Sequence, residues 1–247
     1  MKNRTKTMTH TQLETLLNRL HLNHYKRSDV QEQYVRQKAG HYGESTADHY
    51  LQYLPQEHYL TIQDLRLFDG IHYFQIDAMV LCPEFILILE VKNYKGKLIF
   101  DLEHQQLFRK YNDQIDTFPD PFLQVEHQAM QLQRWLAQFN FPEIPIRSFI
   151  VVASPNTVIK THGRDRQQFN KRIVRAKNIY HSVNKLHANF EKSILKMEQV
   201  KDLGNCLQKG NTPYRGRAIL ERFDLSVGPG HGCTMREMSS ISNGPET

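Results

Sequence analysis

Two short stretches of this chain carry residue types that can do hydrolytic chemistry: Gln75-Ile76-Asp77 and Glu90-Val91-Lys92. They lie in adjacent apolar runs, residues 74–82 and 85–91, separated by Pro83-Glu84. A tight turn there makes the runs a β-hairpin in which Cys82 faces Phe85. Counting back along both strands puts Asp77 opposite Glu90, with Cβ atoms about 4.5–5.5 Å apart. Lys92, two residues past Glu90, projects from the same sheet face. Like charges directly opposite each other destabilise a ladder, and a divalent cation would resolve the conflict. Hard cations such as Mg²⁺ take oxygen ligands, commonly one or two carboxylates with waters and phosphate oxygens. A metal held there acidifies a water and neutralises charge on a phosphate. An ammonium beside it orients that water or stabilises the transition state. The plain alternative is a set of solvated strand-end charges. Phe85-Ile86-Leu87-Ile88-Leu89 argues against it, because so apolar a strand is buried and a carboxylate at its end needs a partner.

Several elements must position this set. Residues 59–67 read as a strand, Phe68-Asp69-Gly70 as a turn, and the hairpin follows. Gly96 lets the chain turn after Lys92, and residues 98–100 form a short further strand. Asp120-Pro121 is a helix start, with Asp as N-cap and Pro at the first position. Val125, Ala129, Leu132, Leu136 and Phe139 recur at helical spacing and mark its core face. Gln124, Gln128 and Gln131 fall off that stripe, where glutamine is usually solvent-exposed, and Trp135 reads as packing. Residues 146–153 form another strand after Pro142 and Pro145. Upstream, residues 40–43 open a helix whose apolar face is Ala47, Tyr50, Leu51 and Leu54, and Pro55 ends it. Glu44 then sits in a first turn, where the macrodipole favours an anion with or without a catalytic role. The order helix, three or four strands, helix, strand specifies an α/β fold with a mixed sheet.

Gly43-Glu44, Phe74-Gln75-Ile76-Asp77, Glu90-Val91-Lys92-Asn93 and Pro121-x-x-Gln124, in that order, resemble the nuclease-related domain family, NERD. That family sits in the PD-(D/E)xK nuclease superfamily. The resemblance covers roughly residues 38–160 and implies a restriction-endonuclease-like core, a mixed central β-sheet flanked by helices. It implies that Asp77 and Glu90, with the Val91 carbonyl, hold Mg²⁺ or Mn²⁺, and that Lys92 serves the attacking water. It adds Glu44 as an outer metal or water ligand and Gln124 as a group orienting the water or a phosphate. The implied activity is DNA phosphodiester hydrolysis, with RNA an open alternative. A rival class is a binding module on the same fold that docks nucleic acid or a partner enzyme without cutting. A retired site has little reason to keep the acidic pair together with Lys92.

Composition frames the rest. The chain has 247 residues, a formal net charge of +6 and 23% charged residues, enough for one full core with extensions and mildly in favour of a polyanionic partner. No apolar run approaches membrane-spanning length, and residues 1–10 lack an apolar signal core, so a cytoplasmic protein is expected. The three cysteines, Cys82, Cys206 and Cys233, form no CxxC pair, so no zinc module of the kind some relatives carry is expected, and Cys82 reads as buried filler. Residues 1–37 read as a basic helical extension with Leu13, Leu16, Leu17 and Leu20 as its stripe, either packed on the core or serving as a nucleic-acid arm. Residues 38–160 are the core. Residues 161–222 read as a basic segment followed by helices, with one amphipathic helix through Val183, Leu186, Phe190, Ile194 and Met197. Lys160, Arg164, Arg166, Lys171, Arg172 and Arg175 are either a solvated loop or a phosphate-contacting surface. Residues 223–247, turn-rich and aperiodic, are expected to be a disordered tail, as in a truncated or frame-shifted relative.

Overall fold

The computed structural model describes residues 4–213 and Phe223. The chain divides into two compact units. Among the described residues, one holds 7–34 and Phe223, and the other holds 4–6 and 35–213.

The smaller unit is built on α1 (Met8–Arg19). The Thr7 hydroxyl accepts the His10 N–H at 3.2 Å and caps its start. The Arg27 guanidinium donates to the Leu17 and Leu20 carbonyls at its other end. The predicted stripe is real: Leu13, Leu16 and Leu17 are buried with Val30 and Phe223. Apart from Phe223, the tail expected from residue 223 lies outside the described residues, as do residues 214–222.

The larger unit takes its first helix from α2 (Arg27–Leu51), which begins in the smaller unit. Then come β1 (Leu60–Phe68), β2 (Tyr73–Leu81), β3 (Ile86–Lys92), β4 (Lys97–Asp101), β5 (Gln106–Tyr111) and β6 (Gln114–Pro119). These lead to α3 (Pro121–Leu136), β7 (Ile146–Val152), β8 (Val158–His162), α4 (Arg166–Asn170) and β9 (Ile173–Arg175). A 3₁₀ turn, α5 (Ile179–His187) and α6 (Met197–Gly210) complete it. One sheet has five strands in the order β1-β2-β3-β7-β9. It is antiparallel from β1 to β3 and parallel from β3 to β9, the mixed sheet that was expected. A second sheet has four strands in the order β6-β5-β4-β8.

The β2–β3 register is the predicted one, from Leu81 opposite Ile86 to Ala78 opposite Leu89. Alternation sorts the central strands onto two cores. Met79, Leu81, Ile86, Ile88, Ile150 and Val152 pack with α3, α6 and the second sheet. Val80, Cys82, Phe85, Leu87, Leu89 and Val151 pack with Ala47 and Leu51 of α2 and Val183 of α5. The core strands β3 and β7 are apolar on both faces because both faces are covered.

Three expectations need correction, and one hairpin was not anticipated. The helix carrying Glu44 does not open at residues 40–43 but runs from Arg27, so Glu44 lies deep in α2 and owes nothing to a helix N-terminus. Gly43 is there for proximity instead: a Cβ would come within 2.4 Å of the Asn93 Cβ. Residues 106–119 form a hairpin, turned by Asn112 and Asp113 with φ of 49° and 60°, the left-handed pair that suits a tight hairpin. Lys160 to Lys177 is not a loop, since β8 joins the second sheet and β9 the first. The helix expected through Val183 and Met197 is two, α5 and α6. Between them Ile194 and Leu195 donate their N–H groups to the Pro83 carbonyl.

Candidate active site

The β2–β3 ladder stops at Ala78 and Leu89, one residue short of Asp77 and Glu90. The cause is visible in β1 and β2. Their pairing runs through Gln63–Ala78 and resumes at Leu65–Ile76 without a change of register, skipping Asp64 and Asp77. Core-facing positions shift parity there, from Ile62 to Leu65 on β1 and from Met79 to Ile76 on β2. Both strands thus carry one residue outside the alternation, in the manner of a bulge. Asp64 takes it with φ of 48°, a conformation aspartate tolerates better than most residues. Asp77 is released toward β3, where its Oδ2 accepts the Val91 N–H at 2.8 Å. The side chain thereby takes the place of a ladder bond. Val91, whose carbonyl was the expected metal ligand, bonds Asp77 through its amide.

Glu90 ends the buried part of β3 and is 4% exposed. Its Oε1 accepts from Lys92 Nζ at 2.7 Å. Lys92 also donates to Gln124 Oε1 at 3.0 Å. Gln124 arrives there because Asp120 caps α3 by accepting the Phe122 N–H at 3.0 Å, with Pro121 next. One turn on, Gln128 is buried rather than solvated. Its Nε2 donates to Glu90 Oε2 at 3.1 Å and to the Gln75 carbonyl at 2.9 Å. Gln128 therefore ties Glu90 to the motif that holds Asp77. The signal for it was present: it lies four residues from Gln124 on the same helix, so the two share a face.

A second acidic flank comes from α2. Arg4 donates to Glu44 Oε2 at 2.8 Å, to Asp48 Oδ2 at 2.7 Å and to the Asp77 carbonyl at 2.7 Å. Asp48, one turn past Glu44, is buried. Neither Arg4 nor Asp48 was marked in the sequence, since nothing local links residue 4 to an acid on α2.

The electrostatics follow from this crowding. Burial pushes the Asp77 carboxyl well above the usual range, and the charges of Glu90 and Glu44 push it further, against the Val91 hydrogen bond and Lys92. Burial likewise raises Glu44, with Arg4 pulling the other way and Asp64 and Asp48 adding to the rise. For Lys92, burial works against the charged form, but the charge and hydrogen bond of Glu90 outweigh it and the net shift is upward.

The structure thus brings Asp77, Glu90, Lys92 and Gln124 together, and joins Glu44 to Asp77 through Arg4. The basic set divides. Lys160, Arg164, Arg166 and Lys171 are exposed. Arg172 lies over the Phe122 ring at 5.0 Å and donates to Ser148 Oγ at 2.7 Å. Arg175 donates to the Thr157 carbonyl at 2.7 Å and to the Pro155 carbonyl at 3.2 Å.

Two apposed carboxylates with an ammonium alongside form a hard oxygen donor set. Burial first, and then the charges of Glu90 and Glu44, disfavour an ionised Asp77, and a cation bound beside it would relieve that cost. The residues present fit a divalent metal. Among the described residues, no helix is long and apolar enough to cross a membrane. A family model described as "Nuclease-related domain" matches residues 39–153. No curated protein and no solved structure matches the chain.

Proposed function

Residues 39–153 match the nuclease-related domain family, within the restriction-endonuclease-like superfamily, and from that premise we propose that the chain is a metal-dependent nuclease that hydrolyses DNA phosphodiester bonds. The observation that carries this reading is the fixed ammonium of Lys92, bonded to both Glu90 and Gln124 beside Asp77.

Asp77 and Glu90 would hold Mg²⁺ or Mn²⁺, with Glu44 as an outer ligand to the metal or its water. When bound, the ion lowers the pKa of a water and neutralises charge on the phosphate. Gln128 keeps Glu90 from rotating away by occupying its Oε2. Lys92 is favoured in its charged form by the Glu90 carboxylate beside it. Its work is electrostatic: it orients the water and offsets charge developing on the phosphate oxygens. Gln124 holds the ammonium in place and can donate its amide hydrogens to water or phosphate. The exposed Lys160, Arg164, Arg166 and Lys171 would contact the backbone of the nucleic acid. Arg172 and Arg175 are engaged by Ser148, Phe122 and the Pro155 and Thr157 carbonyls and would add less to that contact.

The rival reading, a binding module without catalysis, has one observation in its favour. Arg4 and Lys92 already compensate Glu44, Asp48 and Glu90 with protein cations. The deciding experiment incubates the purified chain with labelled single- and double-stranded DNA and RNA in Mg²⁺, Mn²⁺ or EDTA. Cleavage of DNA that EDTA abolishes is the expected result. Tight DNA binding with no cleavage of any substrate in either metal would replace the nuclease with the binding module. Neutralising Lys160, Arg164, Arg166 and Lys171 together should lower the magnitude of the slope of log K against log salt by about 3.6 if all four touch duplex phosphates. An unchanged slope would leave them as solvated charges.

A further inference from the structure

The turn end of the same hairpin holds a second cluster of ligating groups. Cys82 Sγ, a Glu84 carboxylate oxygen and a ring nitrogen of His187 all lie within 4.8 Å of one another. Cys82 is fully buried, Glu84 is 8% exposed, and His187, on the last turn of α5, is half-buried. The site begins five residues along β2 from Asp77, roughly 17 Å away at about 3.4 Å per residue. It shares no ligand with the acidic pair.

Two details mark it as more than a chance grouping. Glu84 Oε1 accepts from the Ser193 hydroxyl at 2.5 Å, but the buried Oε2 accepts no hydrogen bond. Such an oxygen is costly to leave unsatisfied. His187 Nε2 lies 3.3 Å from it, yet an N–H on that nitrogen does not aim at it, since Oε2 has no donor. His187 Nδ1 lies 2.5 Å from the Tyr59 hydroxyl, and that hydroxyl also reaches Asn184 Oδ1 at 3.4 Å. If Tyr59 donates to Asn184, Nδ1 carries the imidazole hydrogen and Nε2 keeps a bare lone pair. This is how a ligating histidine is normally fixed: the far nitrogen is hydrogen-bonded and the near one is bare.

We propose that Cys82, Glu84 and His187 bind a borderline-soft divalent cation of the zinc class. Sulfur, imidazole nitrogen and carboxylate oxygen are the zinc donor set, and water would complete a tetrahedral site. Thiolate and carboxylate together balance the dication, which suits a buried position. Binding releases one proton, from the Cys82 thiol, so affinity rises with pH. Burial pushes that thiol up to about 12, so it stays protonated until a cation displaces the proton. The metal would staple α5 to the β2–β3 turn. Spacing could not suggest it, because Cys82 and His187 come from distant parts of the chain. The inference does not depend on nuclease activity.

The test uses Co²⁺ as a spectroscopic probe on full-length protein carrying Cys206→Ser and Cys233→Ser, freed of metal with EDTA and then dialysed. One equivalent of Co²⁺ should produce a near-ultraviolet thiolate-to-cobalt charge-transfer band with tetrahedral d–d absorption, and Zn²⁺ should abolish both. His187→Gln, at a half-buried position tolerant of change, should remove the tetrahedral signature or weaken binding more than tenfold. Tyr59→Phe should weaken it by about 10–100-fold through loss of the orienting bond. Asp77→Asn should leave the band intact. Absence of the band, or a band unchanged in His187→Gln, would overturn the proposal.

Discussion

The two ends of the β2–β3 hairpin make an instructive pair. At the open end the ladder stops at Ala78 and Leu89, and Asp77, Glu90 and Lys92 gather beyond it. At the turn end the chain closes on itself, with the Cys82 N–H donating to the Phe85 carbonyl at 3.1 Å, and Cys82 and Glu84 are enclosed by α5. The open end offers oxygen donors and a protein ammonium. The turn end offers sulfur, nitrogen and one carboxylate. One rigid pair of strands thus supports two different donor sets. A sheet gathers reactive groups where its pairing is interrupted, and the turn gathers them by closing over a neighbouring helix.

The sharpest way to break this comparison is to ask whether both ends carry chemistry. Lys92→Ala should cut the cleavage rate by about 10²–10⁴-fold, as loss of a group acting on water or transition state commonly does, with Mg²⁺ and DNA affinity nearly intact. Lys92→Arg should rescue poorly, since a planar guanidinium places its charge differently. Cys82→Ser in the same assay should cleave at close to the wild-type rate. Equal losses in both variants would erase the distinction between the two ends.

Asp77→Asn sharpens the contrast through metal and pH. Calorimetry should show Mn²⁺ affinity greatly weakened. Undiminished affinity would move the proposed metal elsewhere. In EDTA the sign of the stability change follows from the raised folded-state pKa of Asp77. Its favourable contribution is complete below the unfolded-state value and is lost as pH rises through the higher folded-state value. Metal-free wild type should therefore lose stability as pH climbs above the ordinary carboxylate range. Asp77→Asn, which can still accept the Val91 N–H, should flatten that slope in urea midpoints taken across pH. An equally steep slope in the variant would assign it to another group.

The smallest effects compare the supports at each end. Gln128→Leu strips buried Glu90 of a hydrogen bond and should destabilise by about 1.5–3 kcal/mol in urea unfolding. Ser193→Ala removes the bond to Glu84 Oε1, but Ser193 is exposed and water can replace it, so about 0.5–1.5 kcal/mol is expected in metal-free protein. Reversal of that order would show the turn end to be the more tightly built of the two.

Much of this was legible before any coordinates. The apolar runs around Pro83-Glu84 specified a hairpin and its register, because one turn length fixes every cross-strand pair. Asp120-Pro121 specified where α3 begins, and that start aims Gln124 at Lys92. Less legible was the second sheet. Its β5 and β6 carry little apolar alternation, since only Leu107 of β5 is fully buried. Residues 158–177 were masked by their charge, which hides two strands whose partners are distant. Gln128 read as solvated because glutamine off a leucine stripe usually is, and only the buried Glu90 gives it a reason to turn inward.

What the sequence determined on its own was local: strand and helix periodicity, one turn, one cap, and hence a hairpin register that carries two acids to one end with a lysine two residues on. Those follow from backbone geometry and short-range sterics, which a contiguous stretch of chain already contains. The tertiary structure decided what arrives from elsewhere. It brought Arg4 onto Glu44 and Asp48, left Asp64 and Asp77 outside the β1–β2 pairing, and set His187 against Cys82 and Glu84. Such meetings depend on how the sheets and helices pack, and no residue spacing encodes them, because the partners are neighbours only after the two cores have formed.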